Sequence, residues 1–198
     1  SSKAGTETMC GIAGVVTDGR HPPPSLQVGE AMNAAMRHRG PDEGGLHRDS
    51  QALLGMRRLS IIDLSGGHQP MQAEQGRFQL VFNGEVYNHR ALRRQLEALG
   101  HHFSSHSDTE VVLRACMQWG GDAFARLEGM FAIAFWDAQD RRLLLARDRL
   151  GKKPLFLWHG PGQLGFASEL KSLLCVPGVR AELDRGVLPA YLAFGYVP

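Results

Sequence analysis

A chain of 198 residues, 43% hydrophobic and 21% charged, can bury one sizeable core. Its formal net charge of +2, with no long basic run, excludes an electrostatic case for nucleic acid or an anionic membrane. The three cysteines, Cys10, Cys116 and Cys175, are an odd number without close spacing, so they form neither a disulfide framework nor a zinc pattern. That usage suits a reducing compartment, and the expected location is cytoplasmic. No apolar run reaches membrane-spanning length, and the N-terminus shows no apolar signal segment.

Ser1 to Thr8 is small and polar and reads as a leader, a tag remnant or a propeptide. Met9-Cys10-Gly11-Ile12-Ala13-Gly14-Val15-Val16 then gives a short apolar run bounded by Asp18-Gly19, the pattern of a buried strand. Ser25 can cap a helix whose face carries Leu26, Gly29, Met32, Ala35 and Met36. A turn-rich stretch, His38 to Gly45, separates it from strands expected at 45–49 and 52–57. Residues 58–63 continue in extended form, and 65–70 read as loop.

Phe78 to Phe82 is a buried strand, and Asn83-Gly84 predicts a tight turn leading to Glu85-Val86-Tyr87. Asn88 caps a helix bearing Leu92, Leu96 and Leu99, which Gly100 ends. Ser107-Asp108-Thr109-Glu110 has capping-box spacing and opens a helix through Trp119. Within that helix Cys116 reads as inert core, and Cys175 after Leu173-Leu174 reads the same way. A short helix at 122–127 precedes a hairpin of 130–136 and 142–146. Strands near 155–159 and 165–167, a helix through Leu174 and a last helix over 185–193 complete the chain. Many strands with grouped helices argue for stacked sheets covered by helices.

Cys10 is the residue with the most chemistry. Initiator methionine is readily removed before a small residue, which would leave Cys10 with a free α-amine. An α-amine titrates near ~8 and a thiol near ~8.5, so nucleophile and base can share one residue. Taken alone, those eight residues favour a buried strand cysteine beside an internal methionine.

The strings MCGIAGVV, RHRGPDEGG, RLSIIDLSGGHQPM, FNGEVYNH, SDTE, LEGMFAIAFWD, RDRLGKKPLF and FASELKSLL occur in this order. Together they resemble the glutamine-hydrolysing N-terminal domain of the asparagine synthetase family, a class II glutamine amidotransferase. The resemblance implies an α+β fold, a four-layer αββα sandwich of the N-terminal-nucleophile hydrolase type. It implies a leader or tag with initiator Met9 over 1–9 and a glutaminase domain over 10–184. Residues 185–198 would begin a bridge to an ATP-dependent synthetase domain.

The resemblance also assigns roles. Cys10 matches the nucleophile that attacks the glutamine side-chain amide and forms a thioester as ammonia leaves. Asn83 and Gly84 match the oxyanion hole, Arg58 the grip on the glutamine α-carboxylate, and Asp108 the partner of the α-amine. Glu85 matches a further polar contact. Each has a plainer reading: hairpin turn for Asn83-Gly84, surface arginine for Arg58, helix capping for Asp108. Ser107 already has the spacing to cap, and Arg57 is the better surface arginine. The loops Arg39 to Asp42 and Arg147 to Pro154 are assigned to scaffold and domain interface. His101, His102 and His106 lack ligand spacing, and no metal is expected there. The expected cofactors are none in this domain, with ATP and Mg2+ implied only for a synthetase domain. The expected partners are glutamine and that synthetase domain, with room for a homodimer and with no nucleic acid or membrane. A different nitrogen acceptor, or a non-catalytic glutamine-binding role, are the rival readings.

Overall fold

The computed structural model describes residues 10–58 and 68–196. The expected leader, the extended run beyond Arg58, the start of the 65–70 loop and the last two residues lie outside them.

Two antiparallel sheets form the middle of the molecule. The first has the order β2 (Glu43–Arg48), β3 (Ala52–Arg58), β1 (Gly11–Thr17), β9 (Gln163–Ala167), β8 (Phe156–Gly160). The second runs β4 (Met71–Ala73), β5 (Phe78–Val86), β6 (Gly129–Asp137), β7 (Arg142–Arg147). Strand alternation divides each apolar run between two faces. Ile12, Leu54, Met56, Val81, Ala132, Ala134, Trp136 and Phe166 form a buried layer between the sheets. The alternate residues of β1, Ala13 and Val15, face α1 (Leu26–Ala35) and α5 (Leu170–Leu173) through Met32, Met36 and Leu173. Leu80, Phe82, Ile133 and Phe135 face α2 (His89–Ala98) and α3 (Asp108–Trp119) through Leu92, Leu96, Val112 and Cys116. The result is the αββα sandwich. Each of these fully buried Leu, Val or Phe side chains contributes roughly 1.5–3 kcal/mol of transfer free energy. Cys116 is part of this packing, and burial pushes its thiol up to about 12, so it is inert. Cys175 differs from its expected core placement. It is half-buried at the rim of the α1/α5 layer.

Other expectations at element ends need correction. Asn83-Gly84 is not a turn. β5 runs unbroken through both, with Asn83 opposite Ala132 and Gly84 opposite Phe131. Pairing along the whole of β6 overrides the local turn preference, and the chain reverses only after Val86. Gly84 is needed for a different reason: a Cβ there would lie 2.2 Å from the Met130 carbonyl oxygen. Asn88 does not cap α2 with its side chain; it bridges Arg126 and Glu128, donating to one carbonyl and accepting from the other's N–H. Ser25 likewise makes no capping bond. Ser107 does cap α3, accepting from Glu110 N at 3.3 Å. The return half of the box is replaced, since the Glu110 carboxylate accepts from the backbone N–H groups of Ser104 and Ser105. The short strand β4 was not anticipated.

A hydrogen bond also joins the two sheets at one end. Asp49, in the β2–β3 turn, accepts from the Trp136 indole N–H at 2.7 Å and from Gln51 N and Ala52 N at 2.8 and 2.7 Å. The turn end of β2–β3 is thereby tied to the far end of β6. Burial alone would raise the Asp49 pKa, but His47, these two backbone N–H groups and the indole outweigh it and hold the carboxyl well below the usual range. A depressed folded pKa contributes stability above the unfolded value of 3.8 and loses it as pH falls below that value. Asp49→Ala strands three donors and is expected to cost about 2–4 kcal/mol at pH 7. Denaturant midpoints of parent and variant should converge as pH drops below 3.8; a gap equally wide at acid pH would contradict this account.

Candidate active site

The Asp49–Trp136 tie leaves β5's C-terminal end beside the start of β1 and the end of β3, because β5 and β6 are antiparallel. Most of the candidate residues gather at that end. Cys10 immediately precedes β1 and is half-buried, at the margin of the layer between the sheets. Its place is fixed on two sides. Ser168, directly after β9, accepts from Ile12 N through its hydroxyl at 3.0 Å and donates its own N–H to the Ile12 carbonyl at 2.8 Å. Arg39, from the loop after α1, donates Nε–H to the Cys10 carbonyl at 3.2 Å. The loop expected as scaffold thus touches Cys10 directly through Arg39.

Register places Arg58 next to Cys10. Gly11 pairs with Arg57, so Cys10 and Arg58 follow one step outward on neighbouring strands. Arg58 shares the parity of Met56 and Leu54, the inter-sheet face, as Cys10 shares that of Ile12. The Arg58 side chain is 15% exposed, with Nη1 3.7 Å from Glu43 Oε2. Arg57 takes the opposite face and is not the surface arginine expected. It donates to the Gly40 and Pro41 carbonyls at 2.7 and 2.8 Å, and a Cβ on Gly40 would meet the Arg57 backbone at 2.4 Å.

From the other sheet comes Asn83. It lies two residues beyond Val81 and opposite Ala132, both in the inter-sheet layer. The side chain is buried, and its amide nitrogen, Nδ2, has no hydrogen-bond partner among the described residues. A buried unpaired donor costs about 1–3 kcal/mol, and on the layer that Cys10 borders this one is placed to meet a ligand. Gln69 braces the position: it accepts from Phe82 N at 2.6 Å and donates to the Phe82 carbonyl at 3.1 Å. Neither Gln69 nor Ser168 stood out in the sequence, since side-chain to backbone bonds across the fold leave no local pattern.

Asp108 opens α3 and reaches β5, accepting from Val86 N at 3.0 Å. Ser107 serves as the cap, leaving Asp108 to this contact. Burial raises the Asp108 pKa, with the Val86 N–H and the charge of His89 opposing. Such a carboxylate gains from an arriving cation. Glu85 is exposed at the same strand end. Behind β6, Asp148 accepts from Phe131 N at 3.2 Å and from Lys152 N and Lys153 N at 2.9 Å each, tying the 147–154 loop to that strand. His101 bonds Gln118 at 2.7 Å, and among the described residues no three metal-ligating side chains converge.

A thiol at a strand start, a buried amide donor without a partner among the described residues, and a cation and a carboxylate at the same end of the sheets are groups suited to a small zwitterionic amide. Residues 9–198 match the sequence profile of the glutamine amidotransferase domain. The chain belongs to the glutamine amidotransferase domain family. Among similar proteins, asparagine synthetase [glutamine-hydrolyzing] 1 of Bacillus subtilis is 40% identical over 194 residues, covering 96% of this chain and 30% of that protein. Asparagine synthetase B of Escherichia coli is 38% identical, covering 90% of this chain and 32% of the relative. The amidotransferase domain described here therefore spans about a third of these relatives' length. Among solved structures, the glutamine phosphoribosylpyrophosphate amidotransferase of B. subtilis superposes with a TM-score of 0.69 at 19% identity, over 84% of this chain and 43% of that one. That likeness shows a shared fold, the αββα sandwich described above. No described helix of the domain is long and apolar enough to cross a membrane.

Proposed function

We propose that this domain hydrolyses glutamine and supplies the ammonia for asparagine synthesis in a longer cytoplasmic protein. The observation that carries the reading is the buried Nδ2 of Asn83, without a hydrogen-bond partner among the described residues, on the face that Cys10 borders. In the proposed reaction the Cys10 α-amine takes the thiol proton, and the sulfur attacks the side-chain amide carbon. The resulting oxyanion accepts hydrogen bonds from Asn83 Nδ2 and the Gly84 N–H. The amine returns its proton to the departing nitrogen, ammonia leaves, and a thioester remains. Water then opens the thioester, releasing glutamate and restoring the thiol. Arg58 grips the α-carboxylate as a planar fork, and the buried Asp108 carboxylate is neutralised by the α-ammonium. Glu85 adds a polar contact at the rim.

Residues 10–184 make up the catalytic unit in this reading. The helix α6 (Leu188–Phe194), in which no residue is buried, leads toward a synthetase domain that uses ATP and Mg2+. The names of the sequence relatives support aspartate as nitrogen acceptor. The test is equimolar glutamate and ammonia release from glutamine by a chain beginning at Cys10, with Arg58→Lys as the selectivity arm. Arg58→Lys is expected to raise KM for glutamine several-fold, because an ammonium cannot reproduce two parallel bonds. No glutamate release by the parent would overturn the reading.

A further inference from the structure

Glu169 follows Ser168 in the segment that clamps the start of β1, and it lies 130 residues from the arginine it contacts. Its Oε1 accepts from Arg39 Nη1 at 3.2 Å, the same guanidinium whose Nε–H is bonded to the Cys10 carbonyl. The carboxylate is itself anchored. His38 Nε2 lies 2.7 Å from Oε1, and Lys171 Nζ lies 3.1 Å from Oε2. Exposed ion pairs of this kind contribute little, because water screens them and the side chains remain mobile. Here the Arg39 and Glu169 side chains are only 13% and 20% exposed, and the remaining guanidinium nitrogen, Nη2, is buried with no partner among the described residues. Arg39 thus has two fixed contacts and little room to turn. One is Cys10 and the other is Glu169.

Resting on the glutaminase reading above, we propose that Glu169 is the positioning residue of the nucleophile. It holds Arg39 against the Cys10 carbonyl and so sets the first peptide unit, from which both thiol and α-amine project. Ser168 fixes the Ile12 peptide from the same short segment, so two successive residues after β9 define the path of the chain on both sides of Gly11. Loss of this strut leaves glutamine's own contacts, on Arg58 and Asp108, intact. It lets the Cys10 backbone move relative to the oxyanion donors on the other sheet. Misplacement of a reacting group by about 1 Å costs about 10²-fold in rate.

The experiment compares Glu169→Ala and Glu169→Gln with the parent, all beginning at Cys10, by steady-state kinetics and by hydrogen exchange followed by mass. Glu169→Ala is expected to lower kcat about 10–100-fold with KM for glutamine within about two-fold. Glu169→Gln keeps a side-chain carbonyl for Arg39 and should recover most of the rate. Amides of residues 11–14 should exchange faster in the alanine variant alone, with the rest of the chain unchanged. An alanine variant with parental kcat, equal damage from both substitutions, or exchange gained across the whole chain would each overturn the proposal. A parent without turnover whose alanine variant still loosens 11–14 would remove the glutaminase reading and leave the strut standing.

Discussion

A chain beginning at Cys10 is expected to hydrolyse glutamine, and the same chain with residues 1–9 attached is expected to be all but inactive. The difference is one atom's basicity. In the longer chain the Cys10 nitrogen is an amide and cannot take a proton from the thiol. As a free α-amine with a pKa near ~8, roughly a quarter of it is unprotonated at pH 7.5. The described residues around Cys10 offer little replacement. Arg39 meets its carbonyl as a cation, Ser168 is occupied by Ile12, and His38 is engaged with Glu169 and Lys171. The decisive measurement is glutaminase activity of two preparations whose N-termini are confirmed by mass. Equal activity would mean that another group serves as base, and the single-residue mechanism would have to be abandoned.

What the sequence conveyed about this fold depended on how local each determinant was. The run from Gly11 to Thr17, the helix stripe of Leu92 and Leu96 and the Ser107 cap rest on near neighbours and formed where their patterns indicated, whereas Leu99, expected on that stripe, is exposed just past the end of α2. Asn83-Gly84 carried an equally local signal, for a turn, and it was overridden. Nine residues of β5 pair with β6, a partner some 50 residues away, and no property of Asn-Gly reports that partner. The three-residue strand β4 is too short to show a period. The site divides in the same way. Cys10, Arg58, Asn83, Gly84, Glu85 and Asp108 are candidates through a resemblance spread over eight motifs. The bonds from Arg39 to Cys10 and from Gln69 to Phe82 were not legible, since each joins a side chain to a distant backbone group whose identity the sequence leaves unspecified.

Asn83→Ala is expected to lower kcat for glutamine hydrolysis by about 10²–10³-fold, because it removes one of two donors to the developing oxyanion. The sign of its effect on stability separates this role from a structural one. Nδ2 has no partner among the described residues, so truncation breaks no bond of that nitrogen and relieves a desolvated donor. The melting temperature should therefore change little or rise, while an Asn that shaped the backbone of β5 would lower it. KM should also stay within a few-fold of the parent, since the ground-state amide carbonyl needs the donor far less than the tetrahedral oxyanion does. Steady-state kinetics and thermal melts of one purified variant, beginning at Cys10, supply all three readouts. Turnover within a few-fold of the parent would show that Asn83 is not an oxyanion donor. A large fall in melting temperature, with kcat and KM reduced together, would return it to the framework of β5.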